Sequence, residues 1–151
     1  AVKRDGVPYD LITKALPTIE GEVNNILSQL VDFQMLFEMD GKNINNYIVY
    51  DDDNVWPLEL SSGMERFISS LAIRVALINV SNLPRSNFLA IDEGWGTMDS
   101  DNLNSVYSLF QYLKSQFQFT LIVSHIDSMR DAVDTLLEIK KEKDYSNIMF
   151  D

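Results

Sequence analysis

Two short apolar runs that end in polar residues, with a helical stretch between them, predict an α/β chain with a parallel sheet at its core. Phe88-Leu89-Ala90-Ile91 runs into Asp92-Glu93, and Phe119 to Val123 runs into Ser124-His125. Leu103 to Phe117 between them carries a helical period. Helices that alternate with buried strands give this fold class. A third observation adds a β-hairpin: Phe33, Met35 and Phe37 alternate with other residues, Asp40-Gly41 supplies a turn signal, and Tyr47-Ile48-Val49-Tyr50 returns.

Taken in order, Val7-Pro8 reads as an extended lead. From Leu11 to Leu30 the apolar residues Leu11, Ile12, Ala15, Leu16, Ile19, Val23, Ile26, Leu27 and Leu30 recur at helical spacing. Pro17 divides that pattern into two helices, with the proline in the first turn of the second. After the hairpin, Asp51-Asp52-Asp53-Asn54 reads as a solvated loop. It lacks the alternating ligands, central Gly and terminal Glu of an EF-hand. Leu60 to Val80 is the clearest helix. Phe88 to Ile91 suits a strand buried on both faces. Thr135 to Ile139 and Ile148 to Phe150 read as closing strands. We expect one domain over residues 1–151, with 1–57 as a helical and hairpin lead and 58–151 as the core.

Composition narrows the function. The 151 residues are 46% apolar and 11% aromatic, which excludes a disordered chain. No apolar run is long enough to span a membrane, and no basic-then-apolar opening marks a secretory signal. The absence of cysteine excludes a disulfide scaffold, a cysteine nucleophile and a thiolate zinc site within the chain, and fits an intracellular protein. The net charge of −11 is the reverse of what phosphate neutralisation demands. A role with DNA would rest on a partner, another segment or a local patch.

Three constellations carry chemistry. Leu60-Ser61-Ser62-Gly63-Met64-Glu65-Arg66 opens the long helix, and a Ser-Gly turn there offers free N–H groups and the positive dipole end to an anion. Taken alone, Ser62 with Glu65 three residues on is more simply a capping box. Asp92 and Glu93 end a strand where ligands bind in α/β sheets; one carboxylate suits Mg²⁺ and the other a water. Gly94-Trp95-Gly96-Thr97-Met98-Asp99 continues it as a tight loop. His125, the single histidine, ends the next strand. A lone histidine is more often structural, but this strand end should lie beside the one bearing Asp92 and Glu93.

In this order the three resemble the signature motif, the Walker B strand with its D-loop, and the switch-histidine loop of an ATP-binding-cassette ATPase head. The resemblance is to the C-terminal half of such a head. Glu65-Arg66-Phe67, Ser70-Leu71-Ala72 and Arg74-Val75-Ala76-Leu77 look like the helix after the signature in SbcC-type ATPases of DNA double-strand-break repair, relatives of the SMC proteins. Asp92-Glu93-Gly94-Trp95-Gly96-Thr97-Met98-Asp99 is similar to their Asp-Glu-Gly-Phe-Gly-Thr-Leu-Asp. Gly6-Val7-Pro8, Leu16-Pro17 and Asn24-Asn25-Ile26-Leu27 look like the segment between their coiled coil and signature. One glycine of the family's Leu-Ser-Gly-Gly-Glu is lost. Aligned on Glu65-Arg66-Phe67, Ser62 is the serine, Gly63 the first glycine and Met64 replaces the second. Aligned on Leu60, Ser61 is the serine and Ser62 replaces a glycine. The first register needs no insertion downstream.

The resemblance implies ATP and Mg²⁺ as cofactors and assigns roles. Ser62, Gly63, Met64 and Glu65 would face the ATP of a second head. Asp92 would support Mg²⁺, Glu93 would polarise the attacking water, His125 would contact the γ-phosphate, and Asp99 would order the interface. Arg66 and Arg74 would pass ATP binding on to lobe rotation, or form surface ion pairs. No Gly-x-x-x-x-Gly-Lys-Ser/Thr occurs. In SbcC-like and SMC-like proteins that Walker A half is N-terminal, beyond a long coiled coil. The implied partners are that half, a second head, an SbcD-type nuclease and DNA through the complex, with no membrane. The alternatives are an SMC-like head that tethers DNA, and a non-catalytic half kept for ATP-dependent dimerisation.

Overall fold

The computed structural model describes residues 6–41, 43–92, 103–125, 127–142 and 145–150. Helix α1 (Gly6–Leu27) is continuous, in contrast to the expected extended lead and the expected break at Pro17. Pro8 falls in the first turn, whose N–H groups have no intrahelical partner anyway. Pro17 removes one internal hydrogen bond and stands on the exposed side. The turns beyond it bury Val23, Ile26 and Leu27 almost completely. At about 1.5–3 kcal/mol for each buried side chain, that burial exceeds the cost of the proline.

Strands β1 (Gln34–Asp40) and β2 (Asn43–Asp51) form the expected antiparallel hairpin. Gly41 at its turn has φ 59°, a conformation that favours glycine. Sequence reasoning did not find β3 (Asn54–Pro57), which adds a third strand in the order β1-β2-β3. The acidic run makes the connecting turn. Asp51 Oδ1 accepts from the Asp53 N–H at 3.0 Å and from Asn54 Nδ2 at 2.7 Å. Edge strand β1 takes substitute partners from α1. Asn24 donates from Nδ2 to the Met35 carbonyl (2.9 Å) and accepts from the Met35 N–H (2.8 Å), and Glu20 accepts from the Phe37 N–H (2.8 Å). The amide of Asn24 thus does what a neighbouring strand would do.

A 3₁₀ turn (Leu58–Leu60) leads into helix α2 (Gly63–Val80). It buries Met64, Ile68, Leu71, Ala72, Val75 and Ala76 in one core with α1 and the hairpin. Asn79 Nδ2 ties its far end to Glu22 of α1 at 2.7 Å. Strand β4 (Phe88–Asp92), helix α3 (Leu103–Gln116) and strand β5 (Phe119–Val123) follow, and β4 and β5 pair in parallel with Phe88 opposite Phe119 and Asp92 opposite Val123. Val106, Leu109, Phe110 and Leu113 of α3 complete the core.

The parallel strands are not buried on both faces as expected. Leu89, Ile91 and Ile122 pack on the core, whereas Phe88 is 49% exposed, Phe119 is 59% exposed, and Leu121 and Val123 are also exposed. The Phe88 and Phe119 rings stack at 5.6 Å on that open face. The cause is geometric: α2 and α3 supply cover for one side only. A 3₁₀ segment (Asp127–Ala132) then leads to the closing antiparallel pair, β6 (Leu137–Glu142) and β7 (Tyr145–Phe150). Among the described residues no helix is long and apolar enough to cross a membrane.

Replacing Asn24 with Ala leaves one donor and one acceptor of Met35 without their α1 partner. Asn24→Ala should lower unfolding stability by about 1–3 kcal/mol, read as a lower urea midpoint with an unchanged slope. An unchanged midpoint would mean that water serves β1 equally well.

Candidate functional site

Ser62 is the N-cap of α2. Its backbone is extended, its Oγ accepts from the Glu65 N–H at 3.3 Å, and Glu65 Oε2 accepts from the Ser62 N–H at 2.6 Å. This is the reciprocal capping box that the Ser-x-x-Glu spacing predicts. Ser62 is exposed, and Ser61 is 7% exposed with no hydrogen-bond partner for its hydroxyl. The two serines therefore differ in kind: one faces solvent at the head of a helix, the other lies inside. Gly63 is the first helical residue. Met64 turns into the core at 7% exposure, so the bulk that replaces a small residue here is stored inward. Arg66 is exposed and donates from Nη1 to the Glu59 carbonyl at 3.1 Å.

Glu65 has a third contact that sequence reasoning missed. The Tyr50 hydroxyl, from β2, donates to Glu65 Oε1 at 2.5 Å. Burial raises the Glu65 carboxyl, but the hydrogen bonds from Tyr50 and Ser62 outweigh it and leave it below its usual value. Tyr50 responds in the opposite sense: burial, the bond to Glu65 and the charges of Glu65 and Asp32 push its phenol up to about 12. A cavity of about 540 Å³ opens beside this cluster, lined by the 28–33 loop, Tyr50, Ser62, Met64, Glu65 and Ile68.

The second group of predicted residues is elsewhere. Asp92 ends β4 with its side chain exposed and is paired in register with Val123, two residues before the exposed His125. The expectation that these strand ends adjoin is met. Exposed Arg74 and Asp92 line a second cavity, of about 210 Å³, between α2 and β4. Arg74 lies twelve residues beyond Ser62 on α2, which is about 18 Å along the axis. The structure therefore brings Asp92, the His125 strand end and Arg74 to one place and leaves Ser62 at another. Glu93, Asp99 and the intervening Gly94–Met98 lie outside the described residues.

No family model matches the chain. An uncharacterised mimivirus protein, R555 of Acanthamoeba polyphaga mimivirus, is 37% identical over 161 residues, covering 96% of this chain and 12% of its own length. The SbcC component of the SbcCD nuclease of Rhodobacter capsulatus is 33% identical over 82 residues, 54% of this chain and 7% of that protein. The same component from Staphylococcus aureus is 30% identical over 93 residues, 59% of this chain and 9% of that protein. The chain spans about an eighth or less of these relatives' length. Among solved structures, one described for ATP-driven dimerization and DNA-stimulated activation of SMC ATPases superposes with a TM-score of 0.75 at 15% identity, over 94% of this chain and 88% of that one. The fold is that of the C-terminal lobe of an SbcC/SMC-type ATPase head. The SMC head domain from Thermotoga maritima agrees, with a TM-score of 0.63 at 23% identity over 95% of this chain and 51% of that one.

Within this SbcC/SMC-type lobe the helix cap is sensitive to acid. A carboxyl held below its unfolded value stabilises the fold above about its usual value of 4.5 and loses that contribution as pH falls through the lowered folded value. The stability difference between wild type and Glu65→Gln, from urea midpoints, should be constant near neutrality and shrink on acidification below about pH 4.5. A difference that stays flat down to about pH 3, well into the range where carboxylates protonate, would show that the carboxylate charge plays no part.

Proposed function

We propose that this lobe is half of an ATPase head that binds and hydrolyses ATP at the interface between two heads, and so drives DNA double-strand-break repair and recombination with a nuclease partner. The observation that carries the reading is the separation within one chain. Ser62 lines one cavity at the head of α2, and Asp92 lines another with Arg74, twelve residues further along the same helix, so the described residues of a single lobe offer two half-sites rather than one joined site. An arrangement of that kind is completed by a second head. The open apolar face of β4 and β5 fits cover by the N-terminal, Walker A-bearing half.

In the assembled site the N-terminus of α2, with Ser62, Gly63, Met64 and Glu65, faces the γ-phosphate held by the opposite head, and the N–H groups of Gly63 and Met64 are the donors that the capping box leaves for it. The exposed Asp92 carboxylate is a hard oxygen donor of the type Mg²⁺ takes together with nucleotide phosphates, so the residue fits that ion. Bound there, Mg²⁺ would supply charge neutralisation on the phosphates. Glu93 accepts a proton from water as the water oxygen bonds to the γ-phosphorus and the bond to the β–γ bridging oxygen breaks. His125, at the neighbouring strand end, contacts the γ-phosphate, and Asp99 orders the dimer interface. Arg74 lines the cavity with Asp92 and sits on the same rigid helix as Ser62. With Arg66 it would pass nucleotide occupancy along α2 to the movement of the lobes. An SMC-like head that tethers DNA without a nuclease is the second reading, favoured by the likeness to SMC heads.

Four outcomes test the proposal. The lobe alone should show no ATP turnover and gain it when joined to a Walker A half. In the complete head, Glu93→Gln should slow hydrolysis by roughly 10²–10⁴-fold while ATP-driven dimers persist, measured by single-turnover kinetics and light scattering. Ser62→Arg should abolish dimers formed with a non-hydrolysable ATP analogue while nucleotide still binds the same head's Walker A half. Ser61→Ala, a small change at a buried site, should leave dimers intact. Dimers in Ser62→Arg and none in Ser61→Ala would move the phosphate contact to Ser61.

A further inference from the structure

We infer that Tyr50 is a positioning residue for Ser62, linking the β1–β3 sheet to the helix start that faces the opposed nucleotide; the inference rests on the function proposed above. The geometry is a chain of contacts between two elements far apart in sequence. Phe33 is 3% exposed and fixed in the core. Its ring meets the Tyr50 ring at 5.7 Å, and Tyr50 meets Trp56 of β3 at 5.7 Å on its other side. Held between them, Tyr50 extends its hydroxyl to Glu65 Oε1 at 2.5 Å, and Glu65 Oε2 takes the Ser62 N–H at 2.6 Å.

A capping-box glutamate is ordinarily a mobile side chain that competes with water for one N–H. Here one carboxylate oxygen is anchored to a separate sheet, so the other is fixed where the Ser62 N–H must lie. The bond from the Glu65 N–H to Ser62 Oγ is long, at 3.3 Å, and cannot set the serine alone. The cavity of about 540 Å³ on this side leaves open space where packing would otherwise hold Glu65. Tyr50 stays a donor across the working pH range because burial and its acidic neighbours Glu65 and Asp32 oppose ionisation. The hydroxyl of Ser62, which only accepts within the capping box, keeps its own hydrogen for a ligand.

Tyr50→Phe in the complete head removes the hydroxyl and keeps both ring contacts. Binding of a fluorescent ATP analogue to the Walker A half should be unchanged. Dimerisation driven by a non-hydrolysable analogue should weaken roughly three- to tenfold, the scale of part of a charged hydrogen bond. At head concentrations that restore dimers, turnover per dimer should return to the wild-type value, a split that a general loss of structure would not give. In a Glu65→Ala background, Tyr50→Phe should have no further effect. Wild-type dimerisation by Tyr50→Phe, with dimers abolished by Ser62→Arg, would overturn the inference and leave the proposed function standing. Equal effects of Tyr50→Phe with and without Glu65, or loss of Walker A binding, would also overturn it. Normal dimers in both Ser62→Arg and Ser61→Ala would overturn the function itself.

Discussion

Helix α2 is held on more than one side, and that constraint organises the molecule. Ile68, Leu71, Ala72, Val75 and Ala76 are almost wholly removed from water, and cutting one of the large ones to alanine costs the fold about 2–5 kcal/mol. Phe67, Ser70, Leu71 and Arg74 meanwhile adjoin β4. A slide by one turn, about 5.4 Å, would break both packings at once. The helix is therefore a rigid bar. Its start, with Ser62, and its middle, with Arg74, keep a fixed separation.

The open face of the parallel pair is the complement of that rigidity. A two-stranded parallel sheet is marginal alone, and β4 and β5 form such a pair among the described residues. One face rests on the core; the other presents Phe88, Phe119, Leu121 and Val123. A continuous apolar face of this kind marks a surface for association. The net charge of −11 opposes indiscriminate self-association. Together these two features suit specific rather than indiscriminate association.

Local chemistry was legible in the sequence and long-range pairing was not. The capping box at Ser62 and Glu65, the turn at Gly41 and the strand ends at Asp92 and Val123 are written in neighbouring residues, and the structure has them. Pro17 misled because its local cost is set against burial of Val23, Ile26 and Leu27 by other elements. Strand β3 was missed because four residues ending in Pro57 carry too little period. The run that forms β4 reads as buried on both faces because its residues are apolar; burial depends on what covers the strand. No local pattern joins Tyr50 to Glu65, fifteen residues away across a loop and a 3₁₀ turn. The motif resemblance placed the candidate site residues in order along the chain, while the fold alone shows that Ser62 and Asp92 occupy different places.

That separation is the centre of the account, and hydrogen–deuterium exchange on the complete head tests it most directly. Exchange would be followed with a non-hydrolysable ATP analogue at two head concentrations, one too low for dimers and one that forms them. The account predicts that amides of residues 61–66 exchange as in the nucleotide-free head at the low concentration and are slowed only where dimers form, because their nucleotide belongs to the opposite head. Equal slowing of these amides at both concentrations would place the nucleotide on the same head and contradict it.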